Sequence, residues 1–217
     1  IRAIQSRGNA VDAALASAIT LTVVEPTMNG IGSDAYAIVS SSDGLTAING
    51  SGKSPSSWTR EYFSKYDSMP KRGWDSVTVP GAVKTWVDLH EKFGKLPFER
   101  LFEDAIRYAT DGFHVTPITG ELWASTPEEV TTQPGFREAF LRRGKAPEIG
   151  ELFRNPDQAS ALKMIAKSKG AEFYLGKLAN AMVDFSNQHG GMLSREDLAG
   201  HSSQWVDTIN VTFADHQ

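Results

Sequence analysis

The sequence predicts a layered fold in which helices pack on β-sheet, and three stretches carry that expectation. Residues 34–40 place apolar side chains on both alternating faces, the pattern of a strand covered on two sides. Upstream, residues 10–22 are apolar around the whole circumference of a helix, which marks a helix packed inside the protein. Beyond residue 55, apolar residues recur mainly at helical spacing.

The elements follow in order. Arg2-Ala3-Ile4-Gln5 reads as helix closed by Gly8. The chain opens inside it at Ile1, so this piece is expected to continue a longer natural element. Asn9 is a candidate N-cap for the helix at 10–22. The alanines and the serine between Ala13 and Ala18 permit close packing on a sheet, and Pro26 stops the helix. Residues 34–40 and 45–49 read as two strands joined around Ser42-Asp43-Gly44.

Val83, Trp86, Val87, His90 and Phe93 then fall on one helical stripe that ends at Gly94. Phe98, Leu101, Phe102, Ala105, Ile106 and Ala109 form a second, ended by Asp111-Gly112. The proline-punctuated stretch from Pro117 to Pro147 is expected to be a surface excursion or lobe boundary. Further helices are expected at 157–169 and 177–188, and Ser194-Arg195-Glu196-Asp197 is a capped turn that opens the last one. A β-like run, Thr208 to Phe213, closes the chain. With no element after it, its strand partners are expected from outside residues 1–217. The whole is expected to be one unit, with strands at about 34–49 and 208–213 framing a helical lobe at about 59–200.

Composition narrows the function classes. The chain has 217 residues, 40% hydrophobic and 22% charged, with a net charge of -4. A nucleic-acid binder would need clustered Lys and Arg. Here Lys71-Arg72 and Arg142-Arg143 are isolated pairs that read as solvated surface. No apolar run approaches the roughly 20 residues of a membrane span, and no basic-then-apolar leader is present. The absence of Cys removes disulfides and thiol catalysis and leaves the compartment undetermined.

Residue chemistry alone supplies no complete catalytic set. His90, His114, His189, His201 and His216 show no metal-ligand spacing, and His90 sits on an apolar stripe as a packing residue. Gly32-Ser33-Asp34-Ala35 lacks the second glycine of a nucleophile elbow. Gly30-x-Gly32 lies between a helix and a following strand, the reverse of a dinucleotide-binding turn. Glu103-Asp104 and Glu196-Asp197 are adjacent on helical segments, so each pair points to different faces and cannot share a proton. No metal and no cofactor is implied.

Three long stretches together resemble the γ-glutamyltranspeptidase family. GNAVDAALASAITLTVVEPTMNGIG is similar to its Gly-Asn-Ala-Val-Asp-Ala-Ala helix leading to Glu-Pro and Gly-Ile-Gly. VTVPGAVKTWVDLHEKFGKLPFERLFEDAIRYATDGFHVTP resembles its Val-Pro-Gly segment and Phe-Gly-x-Leu-Pro turn. GELFRNPDQASALKMIAKSKGAEFYLGKLANAMVDFSNQHGGMLSREDLAGH carries the Phe-Tyr-x-Gly, Gly-Gly-x-Leu and Asp-Leu-Ala landmarks in order. The form GSDAYAIV, with Asp34, looks closer to the transpeptidase-like branch than to the glutathione-cleaving enzymes.

The resemblance implies an N-terminal nucleophile hydrolase, a two-sheet αββα sandwich that is incomplete without a small subunit. It implies a precursor that cuts itself, and a Thr at the head of the small subunit that attacks the substrate amide. That Thr's own α-amine, with a pKa near 8, serves as base, and the acyl group passes to water or an amine acceptor. The implied substrate is a small-molecule amide or a γ-glutamyl-like compound, and the implied partner is the small subunit. Thr131-Thr132, followed by Gln133-Pro134, lacks the family's Thr-Thr-His context, so no catalytic residue is expected within 1–217.

One departure concerns specificity. The family carries an Arg after the second strand that clamps the substrate α-carboxylate, and alignment on Pro55 puts Ser51 at that place, in NGSGKSP. Ser51 and Lys53 are therefore the candidate substrate-binding residues, with Arg60 as a further source of charge. Gly50 and Gly52 are expected to bend and widen the strand end. Gly30 and Gly32 are expected to let the helix-to-strand turn pass close beneath the cleft. Acyl groups of the glutaryl or oxamate type are possible alternatives to γ-glutamyl, and a catalytically silent homologue that binds a ligand or partner is the competing class.

Overall fold

The structure, a computed structural model, describes residues 1–212 and 214. The first long helix, α1 (Ala10–Val24), starts where the sequence places it. Asn9 Oδ1 accepts from the Asp12 amide and Asp12 Oδ2 accepts from the Asn9 amide, each at 2.9 Å, which closes a reciprocal capping box. The Asp12 carboxylate is fully buried and also accepts from the amides of Lys95 and Leu96. One side chain therefore ties the start of α1 to the turn that follows α2 (Ala82–Phe93). Asn9 Nδ2 donates to Phe93 O at 2.6 Å, and His90 lies 2.7 Å from Leu96 O, so the same turn is held from three sides. His90 is indeed a packing residue, against the Phe98 ring.

Strands β1 (Ala35–Ser41) and β2 (Gly44–Gly50) form an antiparallel hairpin with a two-residue turn, Ser42-Asp43. Between them and the helices lies a core that includes Ile48 and Trp86. Helix α3 (Glu103–Asp111), entered through a 3₁₀ turn at Phe98–Phe102, packs Ala105 and Ala109 against α1 and against α4 (Pro156–Ser168). The small residues on α3 let these helix axes approach closely. Two further helices, α5 (Lys177–Gln188) and α6 (Arg195–Ala199), follow. Ser194 caps α6 with a second capping box through Asp197, as its Ser-x-x-Asp pattern predicts.

A two-residue ribbon, β3 (Phe113–His114) with β4 (Leu152–Phe153), brackets the proline-punctuated segment. That segment forms three short helices, Pro117–Ala124, Glu128–Thr131 and Phe136–Phe140. Most of it is exposed, as expected of an excursion. It is pinned by the buried Trp123, whose ring meets Phe153 edge-on at 4.8 Å.

The third strand of the main sheet is β5 (Gln204–Val206), which the sequence reading did not single out. Its three residues pair antiparallel with Asn49, Ile48 and Ala47. Residues 208–212 carry the β-type pattern but find no ladder among the described residues, and Phe213 lies outside them.

Within this chain β1 is covered on one face, and the sequence reading expects the other to be covered by a second sheet completed from outside residues 1–217. Ala35, Ala37 and Val39 pack on the core towards α2, but Tyr36 and Ile38 are 67% and 66% exposed. Leu45 and Val206 share that open face, because register places Leu45 opposite Ser40 and Val206 beside Ala47. Helix α1 is likewise open along Ala14 and Ser17 rather than enclosed all round. No helix among the described residues is long and apolar enough to cross a membrane.

Candidate functional site

The hairpin brings two segments together at its open end, since Ala35 pairs with Gly50. The loop that enters β1 and the turn that leaves β2 are joined by Asp34 Oδ1, which accepts from the Gly52 amide at 2.9 Å. From the other side, Ser33 O accepts from the amides of Gly81, the N-cap of α2, and Ala82, its first residue, at 3.1 and 2.8 Å. Lys53 O accepts from the Val79 amide at 3.0 Å, so the turn Asn49–Lys53 is stitched to the segment that precedes α2.

This tight stitching accounts for the glycines there. A methyl group on Gly50 would fall 1.7 Å from Thr85 Oγ1, and one on Gly52 would fall 1.5 Å from Val79 O. Both positions need glycine for close approach rather than to widen the strand end. Gly30 and Gly32 are different. No backbone crosses them closely, so the expectation of a close passage is overturned at that turn. They line a small cavity of about 190 Å³ with Val23, Phe140, Phe153 and Gln158.

The Ser51 amide and hydroxyl both donate to Asn49 Oδ1, at 2.9 and 2.8 Å. Its one proton is thereby committed, which leaves the oxygen lone pairs for a ligand. Lys53 is exposed beside it, and Arg60 is exposed at the start of the short helix Arg60–Phe63. The Ser56 amide reaches Asp197 at 2.9 Å, so the segment after the turn is fastened to α6.

Behind the turn stands a group that sequence reasoning left without a role. His201 follows α6 and is buried, stacked on the Tyr174 ring at 5.5 Å between centroids and 22° between planes. Burial pushes its pKa down from the usual imidazole value; Asp34 opposes this, Lys53 and Lys84 reinforce it, and Asp88 opposes it. The Tyr174 hydroxyl accepts from the Lys84 amide at 2.9 Å and donates to Pro80 O at 2.8 Å. Burial raises its pKa far above the usual phenol range. Lys84 is itself paired with Asp88. Tyr174 sits in the Phe-Tyr-x-Gly landmark, the one sequence signal that pointed at this cluster, and Asp34 was noted only as a branch marker.

No base meets a nucleophile among these groups. The hydroxyls of Thr131 and Thr132 both donate back to Glu128 O, at 3.2 and 2.8 Å, the ordinary satisfaction of a helical hydroxyl. Among the described residues no cluster of His, Asp and Glu could hold a metal ion.

The family model described as Gamma-glutamyltranspeptidase matches residues 1–217. Two curated proteins are similar. The glutathione hydrolase-like YwrD proenzyme of Bacillus subtilis is 32% identical over 215 residues, covering 98% of this chain and 41% of its own length. The oxamate amidohydrolase proenzyme of Klebsiella pneumoniae is 36% identical over 204 residues, covering 91% and 39%. Among solved structures, the cephalosporin acylase from Bacillus halodurans superposes with a TM-score of 0.93 at 40% identity. It covers 98% of this chain and 41% of that one. The chain thus spans about two fifths of the length of these proteins.

Proposed function

The chain belongs to the γ-glutamyltranspeptidase family, and from that premise we propose that it is the large, non-nucleophilic portion of an enzyme that cleaves amides through an acyl-enzyme. In this reading a proenzyme splits itself and exposes a Thr at the head of a small subunit, outside residues 1–217. The Thr hydroxyl attacks the amide carbonyl while its own α-amine takes the proton and passes it to the departing amine. Water or an amine acceptor then attacks the acyl-enzyme and regenerates the hydroxyl.

The observation that carries this reading is the bare apolar face of the sheet. Tyr36, Ile38, Leu45 and Val206 lie side by side and exposed, on a family member that spans two fifths of its relatives. Burying such a face contributes about 25 cal/mol per Å² of apolar surface. A second sheet completed by the small subunit would cover it. The proenzyme names of the relatives agree with a chain that is cut into two.

This chain's own contribution is the acyl pocket at the turn Asn49–Lys53. A guanidinium offers a rigid, always-charged fork for a carboxylate. Ser51 offers a small neutral oxygen whose proton already belongs to Asn49. Charge-assisted hydrogen bonds contribute about 1.5–3 kcal/mol against about 1 for neutral ones, so loss of the clamp weakens γ-glutamyl binding by roughly half to one and a half powers of ten. Lys53 supplies a mobile charge beside the pocket, suited to acyl groups that end in a single carboxylate or a polar amide.

The test is mass spectrometry of the full-length protein, followed by steady-state kinetics on γ-glutamyl-p-nitroanilide, glutaryl-p-nitroanilide and oxamate. Spontaneous splitting into two pieces and poor turnover of the γ-glutamyl donor are expected. An unsplit chain with no turnover of any donor would establish the silent homologue instead. Fast γ-glutamyl turnover together with no effect of Ser51→Ala would remove the pocket assignment.

A further inference from the structure

The turn that leaves β2 directs its side chains to two sides. Methyl groups on Gly50 and Gly52 would fall 1.7 Å from Thr85 Oγ1 and 1.5 Å from Val79 O, so those two positions face α2 and the segment that enters it. Asn49 and Ser51 face the other way and meet there, with Ser51 Oγ 2.8 Å from Asn49 Oδ1. Register sets Asn49 opposite Tyr36, and cross-strand partners share a face of the sheet. Tyr36 is exposed, so the two polar side chains stand at the end of the open apolar face. With glycine on either side, the Ser51 hydroxyl is the one side-chain polar group that the turn carries between Asn49 and Lys53.

The direction of its hydrogen bond follows from the partners. The Ser51 amide lies 2.9 Å from the same Asn49 atom, and a backbone N–H can only donate. That atom is therefore the carboxamide oxygen, which accepts and does not donate, so it takes the hydroxyl proton as well. A Ser hydroxyl has one proton and two lone pairs, and what Ser51 keeps for a ligand is acceptor alone. An acyl group that ends in a carboxylate has no proton to give, and its oxygens meet lone pairs. An acyl group that ends in a carboxamide donates an N–H to them.

The charges at the turn do not reverse this preference. Lys53 and Asp34 are both exposed, and Asp34 Oδ1 accepts from the Gly52 amide, so a cation and an anion flank Ser51. An exposed charge is screened by water and changes affinity by about fivefold at most. Discrimination falls to the short-range polarity of the hydrogen bond.

Resting on the reading of this turn as the acyl pocket, we propose that Asn49 is a positioning residue that sets specificity. By holding the Ser51 proton it makes the pocket take acyl groups ending in a carboxamide in preference to those ending in a carboxylate. Without the Asn49 oxygen the hydroxyl is free to turn and donate to a carboxylate, and that charge-assisted bond is the stronger kind.

The experiment uses the intact, processed protein with glutaramoyl-p-nitroanilide and glutaryl-p-nitroanilide. These donors have equal length and differ in a terminal carboxamide or carboxylate. The wild type is expected to favour the carboxamide about tenfold in kcat/KM. Asn49→Ala is expected to lower that ratio about tenfold, chiefly through a lower KM for the glutaryl donor. Asn49→Asp keeps an oxygen for both Ser51 bonds and is expected to hold the ratio. General damage to the turn lowers both donors together and leaves the ratio in place, so the ratio separates specificity from structure. Should Asn49→Ala not fold, calorimetric titration of the wild type and Asn49→Asp with glutaramate and glutarate reads the same preference without turnover. A wild type that treats both compounds alike or favours the carboxylate overturns the proposal, and so does an unchanged ratio in Asn49→Ala. If Ser51→Ala lowers kcat/KM for both donors in that case, the turn is still the acyl pocket and Asn49 does not set its polarity. If neither Ser51→Ala nor Asn49→Ala alters either donor, the turn is not the acyl pocket and both readings fall.

Discussion

Replacing Asp12 by Ala tests how the start of α1 is joined to the turn that follows α2. The carboxylate is fully buried and accepts from three backbone amides, those of Asn9, Lys95 and Leu96. Hydrogen bonds to a charged acceptor contribute about 1.5–3 kcal/mol each, and an orphaned donor costs about 1–3. All three contacts are partly buried, and those to Lys95 and Leu96 are long at 3.1 and 3.2 Å, so the Asn9 bond is taken at about 1.5 kcal/mol and the other two, weakened below that range, at about 1 kcal/mol each. The expected loss for Asp12→Ala is about 3–4 kcal/mol, and for Asp12→Asn, which keeps one acceptor oxygen, about 1–2. For a chain of this size each kcal/mol moves Tm by about 2–4 °C, so Asp12→Ala should melt roughly 6–16 °C lower. Thermal unfolding of the intact protein by circular dichroism reads the shift, with Asp43→Ala at the exposed hairpin turn as the control, expected within about 0.5 kcal/mol of wild type. A Tm for Asp12→Ala within 2 °C of wild type would refute the idea that this carboxylate joins α1 to the turn after α2.

Other substitutions probe the remaining claims. Gly52→Ala places a methyl group on Val79 O, so it should abolish turnover or leave the protein unfolded, whereas Gly32→Ala, at an open position, should keep near-wild-type activity and Tm. Because burial lowers the His201 pKa, the unfolded chain takes up a proton first as pH falls below about 6.5. That contribution to stability is full above this value and is lost on the acid side. Urea midpoints of the wild type between pH 7.5 and 5 should therefore fall more steeply than those of His201→Gln, and parallel curves would show that burial does not lower the pKa of this imidazole. Ile38→Lys on the open sheet face should make residues 1–217 expressed alone more monodisperse in size-exclusion chromatography, and should prevent assembly with the small subunit in the intact protein. Monomeric behaviour of the unmodified chain would contradict the role given to that face.

Much of the framework was legible in the sequence because it is written in local signals. Asn9 followed by Asp12 and Ser194 followed by Asp197 are capping boxes, whose partners lie three residues apart and need no tertiary information. The stripes on α2 and α3 and their glycine stops emerged for the same reason. The layered α/β class followed from them, and the ordered landmarks carried the family. The pairing of the last strand was decided in three dimensions. Residues 204–206 form a strand because β2 is beside them, while 208–212 carry the stronger propensity and are not in strand conformation. Periodicity reports that β1 is apolar on both faces, but which face is covered depends on what packs there. The site followed the same division. Alignment on Pro55 singled out Ser51 as a candidate and its bond to Asn49 is local, whereas the bond of Asp34 to the Gly52 amide and the stacking of His201 on Tyr174 arise from contacts between residues far apart in the chain. Local hydrogen bonding and periodicity lie within a few residues of sequence, whereas burial and electrostatic environment exist only once distant segments are brought together.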